Sequence, residues 1–131
     1  MMIEVVVLYV YTNPNPTGRM VGDCAIRAVS IALNVDWETS YALIAKAGFL
    51  MGDMPSSNSV WGAVLRQHGF IRKSLSNTCP DCFDIRSFCK ENPKGIFVLC
   101  TGNHVVTVID GSYYDAWDSG KEIPQYMWYL P

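Results

Sequence analysis

Three kinds of side chain in this sequence could together carry out acyl transfer: a cysteine, a histidine and an aspartate. Cys24 stands where a polar segment punctuated by Gly and Pro gives way to the apolar run Ala25-Ile26-Arg27-Ala28-Val29. A thiol in the first turn of a helix meets unpaired N–H groups and the positive end of the helix dipole. Both favour the thiolate, which is the nucleophile. A lone cysteine is more often a small buried hydrophobe. Catalysis therefore requires a base for the thiol and a group that holds the base.

The sequence offers two histidines. His68 falls in the last turn of an expected helix, beside Gly69, where an imidazole complements the helix dipole. His104 opens the apolar run Val105-Val106-Thr107-Val108-Ile109 after Gly102-Asn103. A side chain at such a strand end can reach a cleft. Asp110-Gly111 is a strong hairpin turn, and Ser112 to Trp117 is the expected return strand. A two-residue turn sets Ile109 opposite Ser112 and His104 opposite Trp117. Asp115 then lies on the face of His104, one diagonal step away. A three-residue loop would bring Asp118 opposite His104 instead. Asp115 is the preferred third member, because Trp117 would then cover the His–Asp contact and exclude water. Asp118 is its alternative.

The elements that must place these groups follow from periodicity and punctuation. Ile3 to Tyr11 reads as a strand and Asn13-Pro14-Asn15-Pro16-Thr17-Gly18 as a turn segment. Helices are expected from Cys24 to about Asn34, from Trp37 to about Ala47 with Gly48 as the stop, and from about Ser59 to His68. Phe70 to Leu75 is extended, Ser76 to Cys82 is a turn region, and about Asp84 to Glu91 is a short helix. Strands are expected at Ile96 to Thr101, His104 to Ile109, Ser112 to Trp117 and Gln125 to Leu130. Helices first and strands second indicate an α+β fold, with N-terminal helices packed on a C-terminal, mostly antiparallel sheet.

The 131 residues, half of them hydrophobic, suffice for one domain spanning 1–131 with its own core. A net charge of −2, with no Lys/Arg cluster, argues against nucleic acid or an anionic membrane as partner. The apolar start Met1 to Tyr11 is short, carries Glu4 and lacks a basic leader, so no signal or membrane anchor is expected. An odd count of five cysteines fits reduced thiols in a cytoplasm. The aromatic run Tyr126, Met127, Trp128, Tyr129 reads as core, with a dimer face as the alternative.

Gly22-Asp23-Cys24 opening a helix, Asn103-His104-Val105-Val106 opening a strand, and Asp115-Ala116-Trp117 together resemble a papain-like cysteine peptidase. The Asp-Cys opening is also similar to bacteriocin-processing peptidases and, more loosely, to ovarian-tumour-type deubiquitinases. The small size resembles bacterial or phage cysteine peptidases. The resemblance spans about Asn13 to Ser119. It implies a Cys at the start of the central helix, a Cys24–His104 pair with Asp115 or Asp118 as third member, a thioester acyl-enzyme, a peptide or protein substrate and no cofactor. It departs at the oxyanion donor. The family usually places a Gln about six residues before the Cys, and here that position is Gly18. The backbone N–H of Cys24 can still donate, with Asn15, or Asn13 after it, as a possible second donor.

Two other classes of function compete. The same fold without activity would serve as an interaction domain, which suits the missing Gln. Cys79 and Cys82, with Cys89 and Cys100 beyond them, could instead bind zinc, although their onward spacing matches no familiar zinc ribbon.

Overall fold

The computed structural model describes residues 8–76 and 83–131. Among these, the chain runs β1 (Leu8–Tyr11), α1 (Cys24–Leu33), α2 (Trp37–Met51), α3 (Asn58–Gln67), β2 (Ile71–Ser74), α4 (Ile85–Glu91), β3 (Ile96–Cys100), β4 (Val105–Ile109), β5 (Ser112–Asp115) and β6 (Tyr126–Tyr129). The fold is α+β. One mixed six-stranded sheet has the order β1-β5-β4-β3-β6-β2.

Both faces of the sheet are covered. Val98, Cys100, Val105 and Trp128 meet α1, α2 and α3 through Val29, Ile44, Val60 and Leu65. Leu99, Val106, Val108 and Tyr113 meet α4 through Ile85, Phe88 and Cys89. This explains β4, where successive residues Val105 to Val108 are all buried and no polar alternation appears. The Thr107 hydroxyl donates to the Ala28 carbonyl at 2.7 Å, which locks β4 to α1.

The sheet is mostly antiparallel, with one parallel pair, β1 with β5, that covers the edge the hairpin would otherwise leave open. Two expectations require correction. The sheet is not wholly C-terminal, since β2 pairs with β6 at the opposite edge. Nor does Gly48 end α2. The helix runs on to Met51, and Gly52 takes the left-handed terminal position at φ 68°. Gly48 instead gives the backbone room to fold back. A Cβ there would lie 2.8 Å from the Asp53 carbonyl oxygen.

The hairpin that carries the histidine is a two-residue turn. Asp110 and Gly111 both have positive φ, 49° and 79°, and Ile109 pairs with Ser112. The C-terminal aromatic run contributes Trp128 to the core. Among the described residues, no helix is long and apolar enough to cross a membrane. The first seven residues and the turn segment holding Cys79 and Cys82 lie outside the described part.

Candidate active site

Cys24 is the first residue of α1, and Asp23 occupies the cap position before it. Asp23 does not cap the helix with its side chain. Its carboxylate turns aside to pair with Arg27, one helical turn on, and accepts from Trp37 Nε1 at 2.9 Å and Asn15 Nδ2 at 3.3 Å. The first-turn amides, which have no intrahelical partner, are thus left uncapped by that carboxylate. The residues carrying them, Cys24, Ala25 and Ile26, line a cavity of about 370 Å³ with Asn58, Trp61 and His104.

His104 lies immediately before β4 and is buried. Its Nε2 sits 2.6 Å from Asp115 Oδ2 at the end of β5. This is the diagonal contact expected of the two-residue turn. Trp117 lies opposite, with its ring 4.7 Å from the imidazole, centroid to centroid. Asp115 is itself tightly held. The Ser119 hydroxyl donates to its Oδ2 at 2.6 Å, and the Ala116 N–H donates to its Oδ1 at 2.8 Å. Its backbone carbonyl accepts from the Tyr9 hydroxyl at 3.1 Å and from the Thr12 N–H at 2.8 Å. The acceptor fixed on Nε2 assigns the proton there and leaves Nδ1 for Cys24.

Electrostatics follow from this geometry. Burial alone would push the Cys24 thiol up. The His104 hydrogen bond, the Val105 N–H, the imidazolium charge and the Arg27 guanidinium outweigh burial, and the thiol lies below its ordinary value. Burial alone would likewise lower His104. Its hydrogen bonds to Asp115 and Cys24, and their charges, reverse this and raise the imidazole to about 9. The two shifts favour a thiolate–imidazolium pair.

A raised histidine is worth most when protonated. Its contribution to stability is complete below the unfolded value near 6.5 and is lost as pH climbs through about 9. The shift corresponds to about 3 kcal/mol at most. Urea titrations of the wild type and of His104→Gln should therefore differ by a constant amount below pH 6.5. That difference should shrink between pH 6.5 and 9. A difference that grows over that interval would exclude the pairing.

The other sequence candidates occupy different places. Asp118 is directed away from the imidazole. It accepts from the Tyr113 hydroxyl and from the Gly120 N–H at 3.1 Å, and pairs with Arg86 at 3.1 Å. The two-residue turn is the reason, since it puts Asp115 rather than Asp118 on the diagonal from His104. Asn15 is not among the residues lining the Cys24 cavity. Its amide donates to Asp23, and its Oδ1 accepts from the Thr17 N–H at 3.0 Å and hydroxyl at 2.8 Å. It is a turn former that steadies Asp23 rather than an oxyanion donor. Asn13 has a similar local role, with Oδ1 accepting from the Asn15 N–H at 3.2 Å. His68 Nδ1 lies 2.8 Å from the Val64 carbonyl, at the end of α3.

Cys89 and Cys100 are buried in separate clusters on opposite faces of the sheet. Burial, with the charge of Asp84, raises the Cys89 thiol to about 12. No set of three metal-ligating side chains occurs among the described residues. Cys79 and Cys82 lie outside them.

Four residues with a part in the site were not singled out from sequence as members of it. Arg27 pairs with Asp23 and reaches Asp115 Oδ1 at 3.6 Å, so one guanidinium joins the residue before Cys24 to the partner of His104. The four-residue step from Asp23 to Arg27 was the available signal. Ser119 and Trp37 donate to the two carboxylates, and no local pattern marks either. Asn58 presents a side-chain amide at the cavity, its Oδ1 accepting from Trp61 Nε1 at 3.1 Å. Comparison of the chain with family models, with curated proteins and with solved structures finds no match.

Proposed function

We propose that this protein is a cysteine peptidase-like amide hydrolase of papain-like type, acting on a peptide or protein through Cys24, His104 and Asp115. The observation that carries the reading is the buried His104 Nε2–Asp115 Oδ2 contact of 2.6 Å, with Cys24 and His104 lining the same cavity. The thiolate attacks the carbonyl carbon, and the oxygen takes up the negative charge. The Cys24 N–H, in the uncapped first turn, donates to it. His104 Nδ1–H protonates the leaving nitrogen, the C–N bond breaks, and a thioester remains. His104 then takes a proton from water, whose oxygen attacks the thioester. The acid departs and the thiolate is restored. Asp115 keeps the ring oriented throughout, and the cycle requires no metal or redox step.

Two measurements test this. Iodoacetamide at pH 6 should alkylate Cys24 at least tenfold faster than Cys89 or Cys100, as mapped by peptide mass. p-Nitrophenyl acetate should give a burst of nitrophenol equal to the protein concentration, with the acetyl group on Cys24. Equal alkylation rates for the three thiols, or no burst, would overturn the proposal.

A further inference from the structure

A second cavity, of about 430 Å³, lies along α3 and shares Asn58 with the cavity of Cys24. Its wall is one stripe of α3, marked by Asn58, Gly62 and Arg66 at four-residue steps, which fall on one helix face. Opposite stand Arg72 of β2 and Tyr126 and Trp128 of β6. Gly62 permits the close approach, since a Cβ there would lie 2.7 Å from the Trp128 ring.

The charge in this cavity is one-sided. The Arg66 guanidinium lies 5.2 Å from the Trp128 ring centroid, and that of Arg72 lies 4.0 Å from the Tyr126 ring centroid. Among the described residues, neither arginine forms an ion pair and no carboxylate lines the cavity. Asp53 is tied to the wall through Ser59, at 3.3 Å, and accepts from the Met54 N–H at 2.7 Å, but does not line it. Among the described residues, the buried indole Nε1–H of Trp128 has no hydrogen-bond partner. Two guanidiniums, each lying near an aromatic ring at the rim of one cavity, offer planar N–H forks of the kind that suits a carboxylate. In a chain of net charge −2, such a site is a specific feature and not a reflection of bulk charge.

We infer that the α3–β6 cavity, with Arg66 and Arg72, is a specificity subsite that receives a carboxylate of the peptide substrate. The inference rests on the hydrolase reading for its orientation. Asn58 to Arg66 spans eight residues, or about 12 Å of helix. Extended peptide covers that in about four residues. The carboxylate therefore sits about four residues or more from the bond that meets Cys24, as an acidic side chain or as the free C-terminus.

Binding to the inactive Cys24→Ala protein tests the subsite without turnover. The probes are acetylated hexapeptide-amide pools with Glu or Gln fixed at each position in turn, and a matched acid-free pool ending in a free carboxylate. Binding should be read from the Trp128 indole N–H resonance and from affinity. An acidic pool should bind about tenfold more tightly than its neutral counterpart. Preference for fixed Glu assigns a side chain, and preference for the free carboxylate assigns the terminus. Arg66→Gln/Arg72→Gln should abolish the preference, and the double Lys variant should restore part of it. Equal binding of acidic and neutral pools, or a preference that survives the Gln pair, overturns the inference. Carboxylate-dependent binding in a protein that gives no nitrophenol burst would retain the subsite and remove the hydrolase reading instead.

Discussion

His104→Ala should reduce amide hydrolysis by about 10⁴- to 10⁶-fold, chiefly in kcat, because triad members act as a unit. On the proposed mechanism, the variant loses the proton acceptor for Cys24, the proton donor for the leaving nitrogen and the base for water in one change. It also removes the hydrogen bond and positive charge that hold the thiol below its ordinary value. The alkylation rate of Cys24 at pH 6 should therefore fall in the same variant. KM should change little, since the cavity walls from α1 and α3 remain. Asp115→Asn is the subtler probe. The carboxylate accepts from His104, from the Ser119 hydroxyl and from the Ala116 N–H. An amide in its place must turn an N–H toward one of these donors. The expected loss is about 10²- to 10⁴-fold, with the fold retained by circular dichroism. Hydrolysis that survives His104→Ala within tenfold of wild type would remove the imidazole from the mechanism.

The second large effect is on stability. Arg27→Ala should cost about 3–5 kcal/mol, the penalty for removing one partner of a buried ionic cluster. Arg27 is 5% exposed, Asp23 5% and Asp115 3%, so water cannot take over the role of the guanidinium. The side chain pairs with Asp23 and reaches Asp115 Oδ1 at 3.6 Å. Its loss leaves two interior carboxylates without their common cation. Arg27→Lys should recover only part of the loss, because a single ammonium lacks the planar fork that spans two carboxylates. Adding Asp23→Asn to Arg27→Ala should recover another part, by removing one of the stranded charges. Guanidinium chloride midpoints at unchanged slope measure each step. A loss below 1 kcal/mol for Arg27→Ala would show that solvent reaches the cluster.

What sequence could reveal divides along the range of the interactions. The hairpin was legible because Asp110-Gly111 sets its register locally, and the register alone selects Asp115 over Asp118. The start of α1 at Cys24 was legible from the switch in hydrophobic pattern. The bond from Arg27 to Asp115 was not, because it depends on α1 crossing the sheet near the end of β5. Asn15 looked available as a donor, since sequence cannot show that Asp23 lies beside its amide. The end of α2 was misplaced for a related reason. Gly48 reads locally as a helix stop, whereas it serves the close approach of the Asp53 carbonyl and the helix runs on to Met51. The parallel β1–β5 pairing joins segments about a hundred residues apart and leaves no local trace.

That separation has a consequence for the order in which the molecule assembles. His104 and Asp115 belong to one hairpin, and hairpins close in about 1–10 μs. Cys24 lies some 80 residues earlier and meets the imidazole only when α1 docks on β4, a distant contact of the kind that forms slowly. His104 and Asp115 can thus come together before Cys24 reaches them. Until docking, the thiol has neither His104 nor the Val105 N–H beside it and keeps ordinary thiol acidity. The lowering of the Cys24 thiol is then a property of the finished tertiary structure, absent while the chain is still folding.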